Sequence, residues 1–301
     1  MSLVRKMDWG KLAPLRLRAE GIADGIYAGG HRSARRGAGV EFGGYRSYSP
    51  GDDLRFLDRR ALMRHGRLLT REFETETDRA LRLLIDASAS MGYKSERAPG
   101  AKLAYGALLS AALARVALST GDPVALDWLG GAERRPLPAM SGREAFERVL
   151  GALEQVEPGG DLSLDEAAID RAVAPIARYA RRGAVIVFLS DLLDLPDGTL
   201  ERLAALATRG RTLIVTRVLD PVEADFPFDG PLRLRASEGS SRIETDGRLA
   251  RAGYLEALEA LARRWEDRLV PRGGRLVRCT TADDPVKVVQ AILAVPTGAA
   301  S

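Results

Sequence analysis

The chain has 301 residues, 46% apolar and 29% charged, with 45 basic against 41 acidic side chains and a formal net charge of +4. That length holds one large domain or two ordinary ones, and the composition excludes wholesale disorder. No apolar run reaches the roughly 20 residues of an integral membrane segment, and a single cysteine, Cys279, excludes an internal disulfide framework and fits a reducing compartment.

Arg5 and Lys6 have no apolar core after them, so no signal peptide is expected and the cytoplasm is the default location. The basic residues are nearly all arginine. The lysines are Lys6, Lys11, Lys94, Lys102 and Lys287. With a net charge this small and no basic stripe interleaved with aromatics, the arginines read as solvated faces and ion pairs. Nucleic-acid binding through Arg32–Arg36 is therefore the weakest functional expectation.

In chain order, residues 1–78 are rich in Arg, Gly and Asp and weakly periodic, which suggests a small N-terminal region packed on a main domain at 79–295. Ala80–Ile85 has the length and apolarity of a strand. Lys102–Leu118, apolar almost all round, suits a buried helix. Pro123–Leu129 is a second strand and Arg143–Leu153 a helix. Ser163–Ala180 is helical, with Ile169, Val173, Ile176 and Ala180 on one stripe. Ala184–Leu189 is the most strand-like run. Leu200–Ala207 is a helix ending before Gly210, and Thr212–Val218 another strand. A Pro- and Gly-marked excursion near 221–247 reads as a hairpin-like insertion. Tyr254, Leu258, Leu261, Trp265 and Leu269 trace an amphipathic helix. Arg275–Cys279 could add an edge strand before a last helix at Val286–Leu293. Apolar strands alternating with helices specify an α/β fold: a doubly wound, mostly parallel sheet with helices on both faces, plus a small N-terminal β-containing region.

In such a sheet, ligands sit beyond the carboxyl ends of the strands. The first strand runs into Asp86-Ala87-Ser88-Ala89-Ser90, a carboxylate and two hydroxyls within five residues. Hard cations such as Mg²⁺ take oxygen ligands and keep several waters, so a few such groups suffice. Alone, the pattern has a blander explanation, because Asp and Ser are common turn and cap residues. However, the strand at Ala184–Leu189 also runs into Ser190-Asp191. A third loop, Glu157-Pro158-Gly159-Gly160-Asp161, precedes the helix at Ser163. If the two strands are neighbours, three loops and three carboxylates converge, and mutual repulsion would then call for a cation.

D-x-S-x-S followed by Met91, a Gly-Gly loop and a strand ending in Ser-Asp resembles the metal-ion-dependent adhesion site of von Willebrand factor A domains. The resemblance implies metal ligation by Asp86, Ser88, Ser90 and Asp191. The second loop departs from the pattern, with Asp161 where that family has Thr. Asp161 is the stronger candidate ligand there. Ser163 is the other, although Ser163-Leu164-Asp165-Glu166 reads as a capping box that would occupy its hydroxyl.

The flanks carry a second resemblance. Gly39-Val40-Glu41-Phe42, Tyr45–Asp58 and Arg71-Glu72-Phe73-Glu74, with Asp220-Pro221-Val222-Glu223, Phe226-Pro227-Phe228 and Tyr254 downstream, are similar to the series of the bacterial domain of unknown function 58 family. Leu57 and Arg59 depart from it. The resemblance implies a Mg²⁺ (or Mn²⁺) site and a partnership with a MoxR-type AAA+ ATPase in complex assembly or chaperone-like work. Read from its residues alone, the Arg46, Arg55, Arg59, Arg60 and Asp52, Asp53, Asp58 series forms either a charge network holding the N-terminal region on the main domain or a partner-docking surface.

His31 and His65 are the only histidines, no G-x-S-x-G elbow or Walker A loop exists, and no Cys/His spacing suits zinc. The resulting expectation is a non-enzymatic, metal-dependent protein-interaction module. The alternative is a Mg²⁺-dependent hydrolase using Asp86 and Asp191. Against that alternative, Ser88 stands where phosphoaspartyl-type hydrolases carry a second Asp.

Overall fold

Leu15, Ala19, Ile22 and Ile26 recur at helical spacing, and in the computed structural model they form the buried stripe of α1 (Leu15–Ala28). The structure describes residues 15–28, 41–47, 69–74, 79–142, 144–162, 165, 167–235 and 242–294. The chain divides into two units: Met1–Gly30 with Asp78–Ser301, and His31–Thr77. The division at Thr77 lies within one residue of the expected boundary, but Met1–Gly30 groups with the main unit and not with the N-terminal region. The stripe of α1 shares one core with the main unit, and weak overall periodicity in the Arg-rich leader concealed it. In the second unit, β1 (Glu41–Ser47) and β2 (Leu69–Glu74) pair antiparallel, with a register shift between Phe42 and Gly44. The expected charge network through Arg55, Asp58 and Arg60 lies outside the described residues, as do His31 and His65.

The main unit follows the expected alternation. β3 (Leu81–Asp86) leads through the first loop to α2 (Lys102–Ser119), β4 (Val124–Leu129) and β5 (Leu137–Met140). Next come α3 (Ala145–Gln155), α4 (Ala168–Tyr179), β6 (Val185–Ser190), α5 (Thr199–Ala204) and β7 (Thr212–Leu219). The excursion holds a one-turn helix, α6 (Pro221–Asp225), and an antiparallel hairpin of β8 (Pro231–Arg235) and β9 (Arg242–Asp246). α7 (Gly247–Leu269), β10 (Arg275–Thr280) and α8 (Pro285–Leu293) complete the unit. The sequence reading did not anticipate β5, a four-residue antiparallel edge, and α4 begins five residues later than the apolar pattern suggested.

The six-stranded sheet has the order β10-β7-β6-β3-β4-β5, parallel except at β5. Because side chains alternate along each strand, the sheet feeds two cores. Leu83, Ile85, Val187, Leu189 and Ile214 pack with α1, α2, α3 and α8 on one face. Leu84, Ile186, Phe188, Leu213 and Val215 pack with α4, α5 and α7 on the other. Burial on both faces explains why β3 and β6 read as unbroken apolar runs. α2 is buried continuously from Lys102 to Ala114 because it is wedged between the sheet, α1 and α3. Among the described residues it is the one helix long and apolar enough to cross a membrane by length and composition, and 78% of that window is buried inside the fold.

The strand order reverses direction between β3 and β6. The chain works outward from β3 to β4 and β5, then returns to lay β6 on the other side of β3. Such a switch point opens a crevice at the carboxyl ends of the two strands.

Truncating the core stripe of α1 tests its membership of the main unit. Ile26→Ala should destabilise the main unit by about 2–5 kcal/mol, the usual cost of deleting a buried aliphatic side chain. Urea unfolding followed by tryptophan fluorescence reads this, and an unchanged midpoint would detach α1 from the core.

Candidate metal centre

β3 ends in Asp86 and β6 in Ser190-Asp191, so the switch point brings the two carboxylates together. Both are fully buried. Oδ1 of Asp86 accepts the Ser88 backbone N–H at 2.9 Å, which folds the first loop back on itself. Its Oδ2 accepts the Ser190 hydroxyl at 2.6 Å, tying the first loop to the third. The Ser88 and Ser90 hydroxyl oxygens lie 3.1 Å apart, both buried.

The 157–161 loop joins through its backbone. Gly159 N–H donates to Ala87 O at 2.9 Å, and Ala89 N–H donates to Gly160 O at 3.2 Å. The loop after β4 closes the cradle, with Gly131 N–H on Gly159 O at 2.9 Å. Gly131 has φ +84°, and a Cβ there would stand 2.7 Å from the Ala87 Cβ, so only glycine allows this approach.

Asp161 is half-buried on the same loop. Among the described residues, no group of three or more His, Cys, Asp or Glu side chains is placed to hold a metal. The expected convergence of three carboxylates is therefore not found. The loop docks on the first loop through its peptide groups. Ser163, the other candidate on that loop, lies outside the described residues.

The charge beside Asp191 comes instead from a residue the sequence reading did not select. Lys102, the first residue of α2, is fully buried, and its ammonium donates to Asp191 Oδ2 at 2.7 Å and to Glu223 Oε1 at 2.6 Å. Asp191 Oδ1 accepts Leu193 N–H at 2.9 Å. Glu223 Oε2 accepts the Asp220 N–H at 2.9 Å within a capping box at the start of α6. Asp220 in turn accepts the Ser95 N–H and hydroxyl, and the Tyr254 hydroxyl donates to Glu223 O. Tyr254 stacks on Phe226 with ring centroids 4.6 Å apart. The Asp220–Glu223, Phe226 and Tyr254 pattern of the sequence thus holds the far side of Lys102. Its rarity as a lysine in an arginine-rich chain, at the head of an apolar helix, was the available signal.

The electrostatics follow. Burial, then the charge of Asp191, pushes the Asp86 carboxyl up to about 7 against the opposing hydrogen bonds of Ser190 and Ser88. Burial opposes the charge on Lys102, but Asp191 and Glu223 outweigh it and hold the ammonium above the ordinary lysine value. Burial raises Glu223, with Lys102 opposing. Two buried carboxylates and two hydroxyls fit a hard, oxygen-seeking divalent cation that keeps part of its water shell, with the Lys102 ammonium offsetting one of the carboxylates. They do not form an all-protein cage. A groove of about 710 Å³ opens alongside, between the segment after Asp191 and α7, with Leu195, Tyr254 and Leu261 in its lining.

Residues 44–263 match the family described as "Protein of unknown function DUF58". The chain belongs to this family. Consistent with DUF58 membership, it is 30% identical over 234 residues to the uncharacterized protein Rv1480 of Mycobacterium tuberculosis H37Rv, covering 75% of this chain and 70% of that one. Among solved structures, this DUF58 chain is similar to the conserved hypothetical protein BatB from Bacteroides thetaiotaomicron, at 16% identity, TM-score 0.45, and 71% and 96% coverage of the two chains. It is also similar to the SpRpn10 VWA domain, at 10% identity, TM-score 0.38, and 74% and 98% coverage. The assignment of a doubly wound fold rests on the strand order itself.

Two measurements test this electrostatic arrangement. Lys102→Ala should cost about 3–5 kcal/mol in chemical unfolding, because it leaves two buried carboxylates without their partner. In chelator-treated protein, Asp86 binds its proton more tightly folded, near 7, than at its ordinary 3.8. The unfolded state therefore holds fewer protons in that window, and the Asp86 contribution to stability falls as pH rises from about 4 to about 7. Asp86→Asn should flatten that part of the stability–pH curve. A wild-type slope retained in the variant would assign it to another group.

Proposed function

We propose that this chain is a non-enzymatic, metal-dependent protein-interaction module, acting in the cytoplasm as an adaptor for a MoxR-type AAA+ ATPase in complex assembly or chaperone-like work. The observation that carries the metal part is the buried Asp86 carboxylate, held with the Ser88 and Ser90 hydroxyls at the switch point beside Asp191. Asp86, Ser88, Ser90 and Asp191 would hold Mg²⁺ or Mn²⁺, with Asp161 adding negative charge from the neighbouring loop. The ion would offer coordination positions to an acidic group of a partner, as the von Willebrand factor A resemblance implies. Asp86 and the two serines orient it; Lys102 and the α6 cap hold Asp191 in place.

The chemistry of the surrounding residues supports binding over turnover. The Ser88 and Ser90 hydroxyls pair with each other, and neither has a described histidine to take its proton. The Cys279 thiol, pushed up to about 12 by burial and then by Asp283, is a poor nucleophile near neutrality. The ATPase partnership is supported by DUF58 membership and the family resemblance of the flanking motifs.

Isothermal titration of Mg²⁺ and Mn²⁺ into metal-stripped protein tests the site. We expect binding that Asp86→Ala abolishes and Asp161→Thr weakens. Below pH 7, binding should also release protons, because a cation favours the ionised form of Asp86. A pull-down of the ATPase should then be lost in chelator. Hydrolysis of phosphate esters with Mg²⁺ or Mn²⁺ that disappears in Asp86→Ala would replace this reading with the hydrolase.

A further inference from the structure

We infer that Lys102 tunes the cation site. By neutralising Asp191 from within the protein, it holds cation affinity down and leaves a bound divalent ion with positive charge for an acidic group from outside. The inference rests on the metal reading above and goes beyond it, because it assigns the strength and ligand preference of the site to a residue that does not itself ligate.

Both oxygens of Asp191 are already engaged, one by the Lys102 ammonium at 2.7 Å and the other by Leu193 N–H at 2.9 Å. Much of its charge is therefore spent inside the fold. Asp86, Asp191 and Glu223 with Lys102 carry two net negative charges in place of three, so the ammonium reduces the charge available to a divalent cation. Glu223 lies on the far side of the ammonium, bound to the Asp220 N–H, and is committed to capping α6.

Lys102 has no route away from this position. Its side chain is fully buried, its backbone N–H donates to Tyr93 O at 3.3 Å at the head of α2, and the two carboxylates hold its ammonium from both sides. A compact ammonium bridges two carboxylates here, where the planar fork of an arginine would need a wider site. That accounts for a lysine at this point in a chain whose basic residues are nearly all arginine.

The test uses the full chain, stripped of metal, at fixed ionic strength, with Mn²⁺ binding followed by electron paramagnetic resonance and folding checked by thermal melting. Lys102→Met removes the charge at nearly constant length. It should tighten Mn²⁺ binding by about tenfold or more, since a like charge close to the ion is removed in a poorly screened site. Glu223→Gln keeps the Lys102–Asp191 pair and removes one negative charge behind it, so it should weaken Mn²⁺ binding. The opposite signs separate charge tuning from loss of structure, which would weaken binding in both variants. Glu223→Gln carries the test if Lys102→Met does not fold: weaker binding there with an unchanged melting profile supports the inference, and unchanged affinity overturns it. Wild-type binding that is equal or tighter than in Lys102→Met overturns the inference and leaves the metal site standing. No Mn²⁺ binding by the wild type at millimolar concentration overturns both.

Discussion

Asp86 and Asp191 are buried side by side at the carboxyl ends of adjacent parallel strands, and two such groups cannot both stay ionised away from water without compensation. Much of the surrounding structure answers that demand. Asp86 is met by a hydroxyl and a peptide N–H, which stabilise its charge incompletely and leave its pKa near 7. Asp191 is met by an ammonium. The difference in compensation makes the two carboxylates unequal: Asp191 is paired with an ammonium, and Asp86 is pushed up to about 7.

The compensation draws on segments far apart in the chain. α2 has two roles. Its apolar body fills one core from Leu103 to Ala114, and its first residue delivers a charge to the end of the sheet. The Ser95 loop and the α6 cap close around that charge, and Tyr254 of α7 anchors α6 from the opposite face of the sheet. A perturbation at Asp191 would therefore be felt at α6 and at α7, whose Tyr254 lines the neighbouring groove. Energetically the pair is costly to break and modest in net gain, as buried ion pairs are. Its value lies in fixing where Asp191 points.

The loops owe their shape to backbone chemistry. Gly131, Gly159 and Gly160 let peptide groups of three loops bond directly, so the first loop is held by main-chain hydrogen bonds as well as by its own turn. Asp161 sits half-buried on the loop that carries Gly159 and Gly160.

The sequence by itself determined the elements of the main unit apart from α1 and β5, and two of the loops that matter. Ala80–Ile85 and Ala184–Leu189 are apolar because both faces of their strands are covered, and each runs into a carboxylate, so the pattern put Asp86 and Asp191 at strand ends. The grouping of Asp86, Ser88, Ser90 and Asp191 as one candidate site came from the family resemblance. The tertiary structure decided what local pattern does not encode. The strand order placed β3 beside β6, peptide groups docked the 157–161 loop on the first loop, and the stripe of α1 found its partner in α2. Above all, Lys102 reads locally as one polar residue at the start of an apolar helix. Only the fold sets its ammonium between Asp191, 89 positions away, and Glu223, 121 positions away, where Coulomb attraction in a buried site keeps it charged.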